Sequence, residues 1–328
     1  MKTIGKIIGA FVLLLVVAAG VGIGMAWAPD RPVESLTARW APAPSQFIDI
    51  DGMKVHVRDE GPRGDPQPIV LLHGTSASLH TWDGWVARLR DDHRVIRVDL
   101  PGFGLTGPTP DGRYDIGVYS RFITHLLDKL NVRQAVLAGN SFGGYVAWKT
   151  AVDHPTRVSK LVLVDAGGYA YKTQSMPIAF RMAQIPVLKP LMSSLLPRSM
   201  IESSVKNVYG DPSRVTPALI DRYYELSLRA GNRAALVERF AQSKGGEHEA
   251  EIKQIRKPTL IIWGGKDHLI PPDSADRFQH DIEGSRLAVF DGLGHVPHEE
   301  DPAATVAAVQ AFLTSWPSLS YADGGVVR

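Results

Sequence analysis

The sequence predicts an α/β protein: a mostly parallel eight-stranded sheet with helices on both faces and an inserted helical cap. Three observations carry this. Eight short apolar or alternating runs are spaced along the 328 residues, most of them separated by segments of helical spacing, which is the pattern of strand–helix–strand crossovers. One join, Val136-Leu-Ala-Gly-Asn-Ser-Phe-Gly-Gly-Tyr145, passes from a strand-like stretch directly into a helix-like one. Between 167 and 250 the strand-like runs stop, and helical spacing is interrupted by Pro186, Pro190, Pro197, Pro212 and Pro217.

Taken in order, 46–50 and 53–58 flank Asp51-Gly52, a two-residue hairpin signal. The continuous apolar run 68–72 is a buried central strand. A helix at 80–89, a strand at 95–99 and a helix at 119–130 follow. The strand 135–138 leads into a helix at 145–152, and 161–164 is another buried strand. The last two strands, 260–263 and 287–290, precede helices at 274–282 and 303–314. The core is thus expected over 46–166 and 251–316, with a cap over 167–250 that covers the strand ends and shapes a substrate pocket. Residues 317–328 are Ser/Gly-rich and read as a loose tail.

Ahead of the core, 29–45 contains Pro29, Pro32, Pro42 and Pro44 and reads as a short extended linker. Residues 7–27 carry no charge and follow Lys2 and Lys6; 21 such residues are long enough to span a bilayer. The expectation is a membrane anchor within 1–28, with the rest of the chain on the extracytoplasmic side. The alternative is a signal cleaved near Ala26-Trp27-Ala28, leaving a secreted or periplasmic protein; the length of the run and Pro29 argue against it.

Composition narrows the chemistry. Hydrophobic residues are 44% of the chain and charged residues 21%, enough for a large core. A net charge of +2 gives no footprint for nucleic acid. With no cysteine, disulfides, thiolate–metal sites and cysteine nucleophiles are excluded.

Gly139-x-Ser141-x-Gly143 sits where a tight strand-to-helix turn would hold Ser141 in a strained conformation with its hydroxyl clear of the chain. A serine nucleophile needs a base, and a histidine base needs an acid to orient it. His295 fits the base, in a Gly-rich loop past the last strand. His298, beside Glu299, Glu300 and Asp301, reads as a solvated helix start, and His73 as structural. Asp267, in the loop after 260–263, fits the acid; Asp165, ending the strand before the insertion, is the alternative. The N–H groups of Phe142 and Thr75 are the candidate oxyanion donors, with Gly74 giving the backbone room. No HExxH or third ligand accompanies His295 and His298, so neither a metal nor a cofactor is expected, and the partner is a small-molecule substrate.

These residues resemble the α/β-hydrolase superfamily in its capped branch. The carriers are His73-Gly74, Asp99-Leu-Pro-Gly-Phe-Gly104, Gly139-Asn-Ser-Phe-Gly143, Trp263-Gly-Gly-Lys-Asp267 and Gly294-His295. The resemblance implies a triad of Ser141, Asp267 and His295 and an oxyanion hole at Thr75 and Phe142. Haloalkane dehalogenases and epoxide hydrolases carry an aspartate where Ser141 stands. The elbow is also similar to that of hydrolases that cleave C–C bonds in aromatic ring-fission products. However, Val296 stands where those often have tryptophan, and their Gly-Pro-Gly run after His-Gly is missing. Ester hydrolysis is the expected reaction, with C–C cleavage, or a non-catalytic binding protein on the same fold, as alternatives.

Overall fold

The computed structural model describes residues 11, 13–15, 17, 20–185 and 194–315. Eight strands form one sheet: β1 (Gln46–Ile50), β2 (Met53–Glu60), β3 (Ile69–Leu72), β4 (Val95–Val98), β5 (Ala135–Asn140), β6 (Val158–Val164), β7 (Thr259–Gly264) and β8 (Arg286–Phe290). Their order is β1-β2-β4-β3-β5-β6-β7-β8. β2 runs antiparallel to β1 and β4, and every other pairing is parallel. Asp51 and Gly52 both take positive φ, 50° and 79°, the geometry of the tight turn that joins twisted strands.

The strands bury both faces. Val70 and Leu72 point into one apolar cluster, Ile69 and Leu71 into the other. The first cluster is closed by α3 (Ile116–Lys129), α4 (Phe142–Asp153) and α9 (Asp273–Asp281), the second by α2 (Asp83–Leu89) and α11 (Pro302–Ser315). Helix α3 begins three residues before the apolar spacing suggested, because the Asp115 carboxylate caps it by accepting from Val118 N.

Between β6 and β7 the described chain is helical: α5 (Ile178–Ala183), α6 (Arg198–Val208), α7 (Pro217–Ser227) and α8 (Asn232–Gln242). Thr216 caps α7 and Pro217 occupies its first turn, where a missing N–H costs nothing. Part of the expected cap, 186–193, and the tail, 317–328, lie outside the described residues.

Two expectations for the N-terminal region are corrected. Among the described residues, no helix is long and apolar enough to cross a membrane. The expected span over 7–27, and the extracytoplasmic placement drawn from it, therefore do not stand; residues 1–10, 12, 16, 18 and 19 lie outside the described residues. Counting uncharged residues missed how the run ends. Leu196 N donates to Ala26 O, Trp27 forms a bridge with Leu195, and Ala28 is buried in an apolar cluster of the insertion. Gly20, Gly22 and Gly24 also weaken helix in the same stretch. Nor is 29–45 an extended linker. It holds α1 (Glu34–Trp40), whose Leu36 packs with Leu105 and Leu226, while Asp30 accepts from Arg233 and from Gly231 N.

Candidate active site

Ser141 lies at the join of β5 and α4 with φ 54° and ψ −115°. That is a left-handed conformation a serine adopts only when its surroundings dictate it. A Cβ at Gly139 would collide with the Gly143 carbonyl, and one at Gly143 with the Leu72 carbonyl, so the turn admits no larger residue at either position. Phe142 opens α4, where backbone N–H groups have no partner within the helix. Thr75 lies in the loop after β3, beside Gly74, whose Cα approaches the Asn140 and Ser141 side chains too closely for a Cβ.

His295 and Asp267 come from the loops after β8 and β7. His295 Nδ1 lies 2.6 Å from Asp267 Oδ2, and both groups are buried. Asp267 Oδ1 accepts from Leu269 N and Ile270 N at 2.8 and 3.0 Å, which fixes the carboxylate. Ser141 and His295 line the same cavity. The three residues picked from the sequence are thus gathered at one end of the sheet.

Asp165 is close by but placed differently. It takes φ 44°, is fully buried, and its Oδ1 accepts from Gly264 N at 2.9 Å. One ligand-type atom each of Asp165, Asp267 and His295 lies within 4.8 Å of the others. Burial, then the Asp267 charge, raise Asp165 well above the ordinary carboxylate range. Its Oδ2 accepts from no donor among the described residues, as suits an oxygen that carries the proton. The set has metal-ligand chemistry on paper. However, Asp267 already uses both oxygens on His295 and backbone N–H groups.

The remaining histidines separate cleanly. His73 is buried, with Nδ1 on Gly74 O at 2.8 Å and Nε2 accepting from Leu100 N at 3.0 Å; burial lowers its pKa. This is a structural neutral ring. His298 is not solvated. It is buried against Trp82, with ring centroids 4.0 Å apart, and neither ring nitrogen has a partner among the described residues. Burial, then the nearby His295, Arg222 and His73, push it well below the usual histidine range. Pro297 starts a short helix, α10 (Pro297–Glu300), that turns this ring inward.

Three residues that sequence reasoning did not single out organise the site. Asn140 Nδ2 donates to His295 O at 2.9 Å and ties the histidine loop to the elbow. Glu300 accepts from Gly294 N, Gly210 N and Asp211 N, fastening the same loop to the insertion. Arg239 on α8 donates to Thr75 Oγ1 at 3.1 Å. Its only signal in the sequence is a charge within an otherwise amphipathic helix.

Ser141 and His295 share one cavity between the strand ends and the insertion. Its far wall is apolar and comes from the insertion: Met182, Leu196, Met200, Ile201, Val205 and Val208. A second cleft meets it at Ser141 and Thr75 and is walled by Tyr145, Tyr169, Tyr171 and Arg239.

Set beside known proteins, residues 67–302 match the model of the alpha/beta hydrolase fold family. The chain belongs to this family. It is 28% identical over 263 residues to the uncharacterized hydrolase YugF of Bacillus subtilis (strain 168), covering 80% of this chain and 95% of that protein. It is 31% identical over 263 residues to a 2-hydroxy-6-oxononadienedioate/2-hydroxy-6-oxononatrienedioate hydrolase of Pseudomonas sp., covering 76% and 90%. Among solved structures, a membrane phospholipase A described as a bacterial virulence factor superposes with a TM-score of 0.72 at 25% identity, covering 96% and 99%. The protein is a hydrolase of this fold.

Proposed function

We propose that the protein is a serine hydrolase that cleaves a carboxylic ester through an acyl-enzyme. One observation carries the reading: Ser141, held left-handed at the strand–helix join, shares a cavity with a histidine that Asp267 orients. Ser141 Oγ attacks the acyl carbonyl carbon while His295 Nε2 takes the hydroxyl proton. Asp267 holds the imidazole through Nδ1 and stabilises its charged form. The N–H groups of Thr75 and Phe142 bind the oxyanion at the positive end of α4. The intermediate collapses, and the alcohol leaves with the proton from His295. Water, deprotonated by the same ring, then releases the acid and restores Ser141.

The insertion acts as the cap, and its apolar wall receives the acyl chain. Phospholipases A hydrolyse carboxylic esters, so the likeness to one supports this reading. C–C cleavage of a ring-fission dienoate is the second reading, favoured by the dienedioate hydrolase among the relatives. Three arginines of the insertion offer a dienoate carboxylate no free partner, being engaged elsewhere or exposed. Arg222 pairs with Glu299, Arg229 donates to the Ala230 and Thr106 carbonyls, and Arg181 is exposed. The test is kcat/KM for nitrophenyl esters of graded acyl length beside a ring-fission dienoate. Faster turnover of the dienoate than of every ester would replace the first reading with the second.

A further inference from the structure

Arg239 is a buried cation on the second cleft. It is 6% exposed, and its one hydrogen bond among the described residues is from Nη2 to Thr75 Oγ1. Its Nε is buried with no partner, and no carboxylate of the described residues reaches ion-pair distance. The guanidinium instead lies against aromatic rings, 4.4 Å from the Phe142 centroid and 4.6 Å from that of Phe240. A buried cation without a counter-charge is costly, and a guanidinium has five N–H donors to satisfy. The other charged residues on this cleft, Glu238 and Lys244, are more exposed and opposite in sign. The buried arginine that lines the apolar cavity, Arg233, is by contrast paired with Asp30. The two clefts meet at Ser141, so a bound ester would present one side to each.

We infer that Arg239 is an anion-recognition residue. The substrate carries a carboxylate or phosphate on the alcohol side of the scissile ester, in the Arg239 cleft, and an apolar acyl chain on the other side. The inference rests on the ester reading above. The planar fork of arginine can hold either anion through two parallel N–H···O bonds, and Phe142 and Thr75 keep it facing the reacting carbonyl. Fixing the anion there would also seat that carbonyl against the oxyanion donors.

The experiment compares kcat/KM for 4-nitro-3-(octanoyloxy)benzoate with its methyl ester, and for octanoylglycerol phosphate with octanoylglycerol. The unaltered protein should prefer the anionic member by about 10- to 100-fold, mostly through KM, as expected for a charge-assisted contact. The pair with the larger preference identifies the anion. In Arg239→Gln the preference should collapse towards one, with Arg239→Lys in between. Equal or faster turnover of the neutral esters by the unaltered protein, or an unchanged preference in Arg239→Gln, would overturn the inference. Should Arg239→Gln fail to fold, the unaltered protein still decides, through competitive inhibition by 3-hydroxy-4-nitrobenzoate against its methyl ester. If no ester is turned over, the ester reading fails separately, while calorimetric binding of 3-hydroxy-4-nitrobenzoate still reports on the anion site.

Discussion

Ser141, Asp267 and His295 hang from the ends of β5, β7 and β8, whereas Met200, Ile201 and Val205 lie on α6 of the insertion. The first set is held by short hydrogen bonds and by turns that admit only glycine. The second set is held by apolar packing. The ends of hydrogen-bonded strands fix atoms to a fraction of an ångström, which proton transfer demands. An apolar wall needs only the right volume, and tolerates exchange of one hydrophobic residue for another. Chemistry and selectivity should therefore respond separately to substitution.

The sharpest separation should come from Ser141→Ala. It should lower kcat by about 10⁴-fold or more while leaving the thermal midpoint within a few degrees, and it should abolish fluorophosphonate labelling. Labelling retained on that variant would remove Ser141 from the chemistry. Asp267→Asn should approach the same loss by favouring the wrong imidazole tautomer. Asp165→Asn should cost less than about ten-fold, since an amide imitates the protonated carboxyl. The reverse ranking in steady-state kinetics would make Asp165 the orienting acid.

Glu300→Ala tests where the two halves meet. It removes the acceptor of three backbone N–H groups, so stability should fall by about 2–4 kcal/mol in urea unfolding. It should also lower kcat, because the histidine loop loses its tie to the insertion. Unchanged kcat with lowered stability would mean that the halves are coupled only through folding.

Within the insertion, changes should move selectivity alone. Each methylene buried against the α6 wall is worth about 0.8 kcal/mol, so kcat/KM should rise about four-fold per carbon and then fall when the cavity is full. Val205→Trp should bring the optimum to shorter chains and Ile201→Ala to longer ones, with the pH profile of kcat unchanged. An optimum that ignores both would place the acyl chain elsewhere.

The smallest effects concern protons. The raised Asp165 stays protonated in the fold, while the unfolded chain ionises above about pH 4. Its contribution is full below that value and is lost as pH rises towards the folded value. Asp165→Asn should thus gain a few degrees over the unaltered protein at pH 8 and little at pH 4. His298 runs the other way. Its ring is held neutral in the fold, so stability is full above about pH 6.5 and falls as the unfolded chain protonates below it. His298→Phe should flatten the acid side of a thermal-melt series. Parallel curves for either variant and the unaltered protein would contradict the assigned proton.

The sheet and the triad candidates were legible because strong local rules generate them. A two-residue turn, a glycine-bounded elbow and continuous apolar runs each admit few structures. Strand ends came out within a few residues, and the extra reach of β2 to Glu60 reflects pairing with β4, which no local pattern reports. His298 was misjudged because its acidic neighbours look solvated in sequence, while Pro297 turns the ring onto Trp82. Arg239, Asn140 and Glu300 escaped notice because their importance lies in partners 89 to 164 positions away or, for Arg239, in the partner it lacks. The N-terminal region misled for a related reason. Composition measured its apolarity, but its contacts with Ser194, Leu195 and Leu196 belong to a distant segment.

That N-terminal strap has a consequence for the order of assembly. Asp30 meets Arg233 across 203 positions, and Arg31 and Arg39 reach Leu228 and Glu225 over similar spans. These residues leave the ribosome long before anything exists for them to bind. Closing so large a loop gives little reward until the insertion has packed. The strap should therefore dock last, so that its substitutions speed unfolding and leave the refolding rate nearly untouched. Synthesised early and seated late, it would act as the closing stitch of the fold.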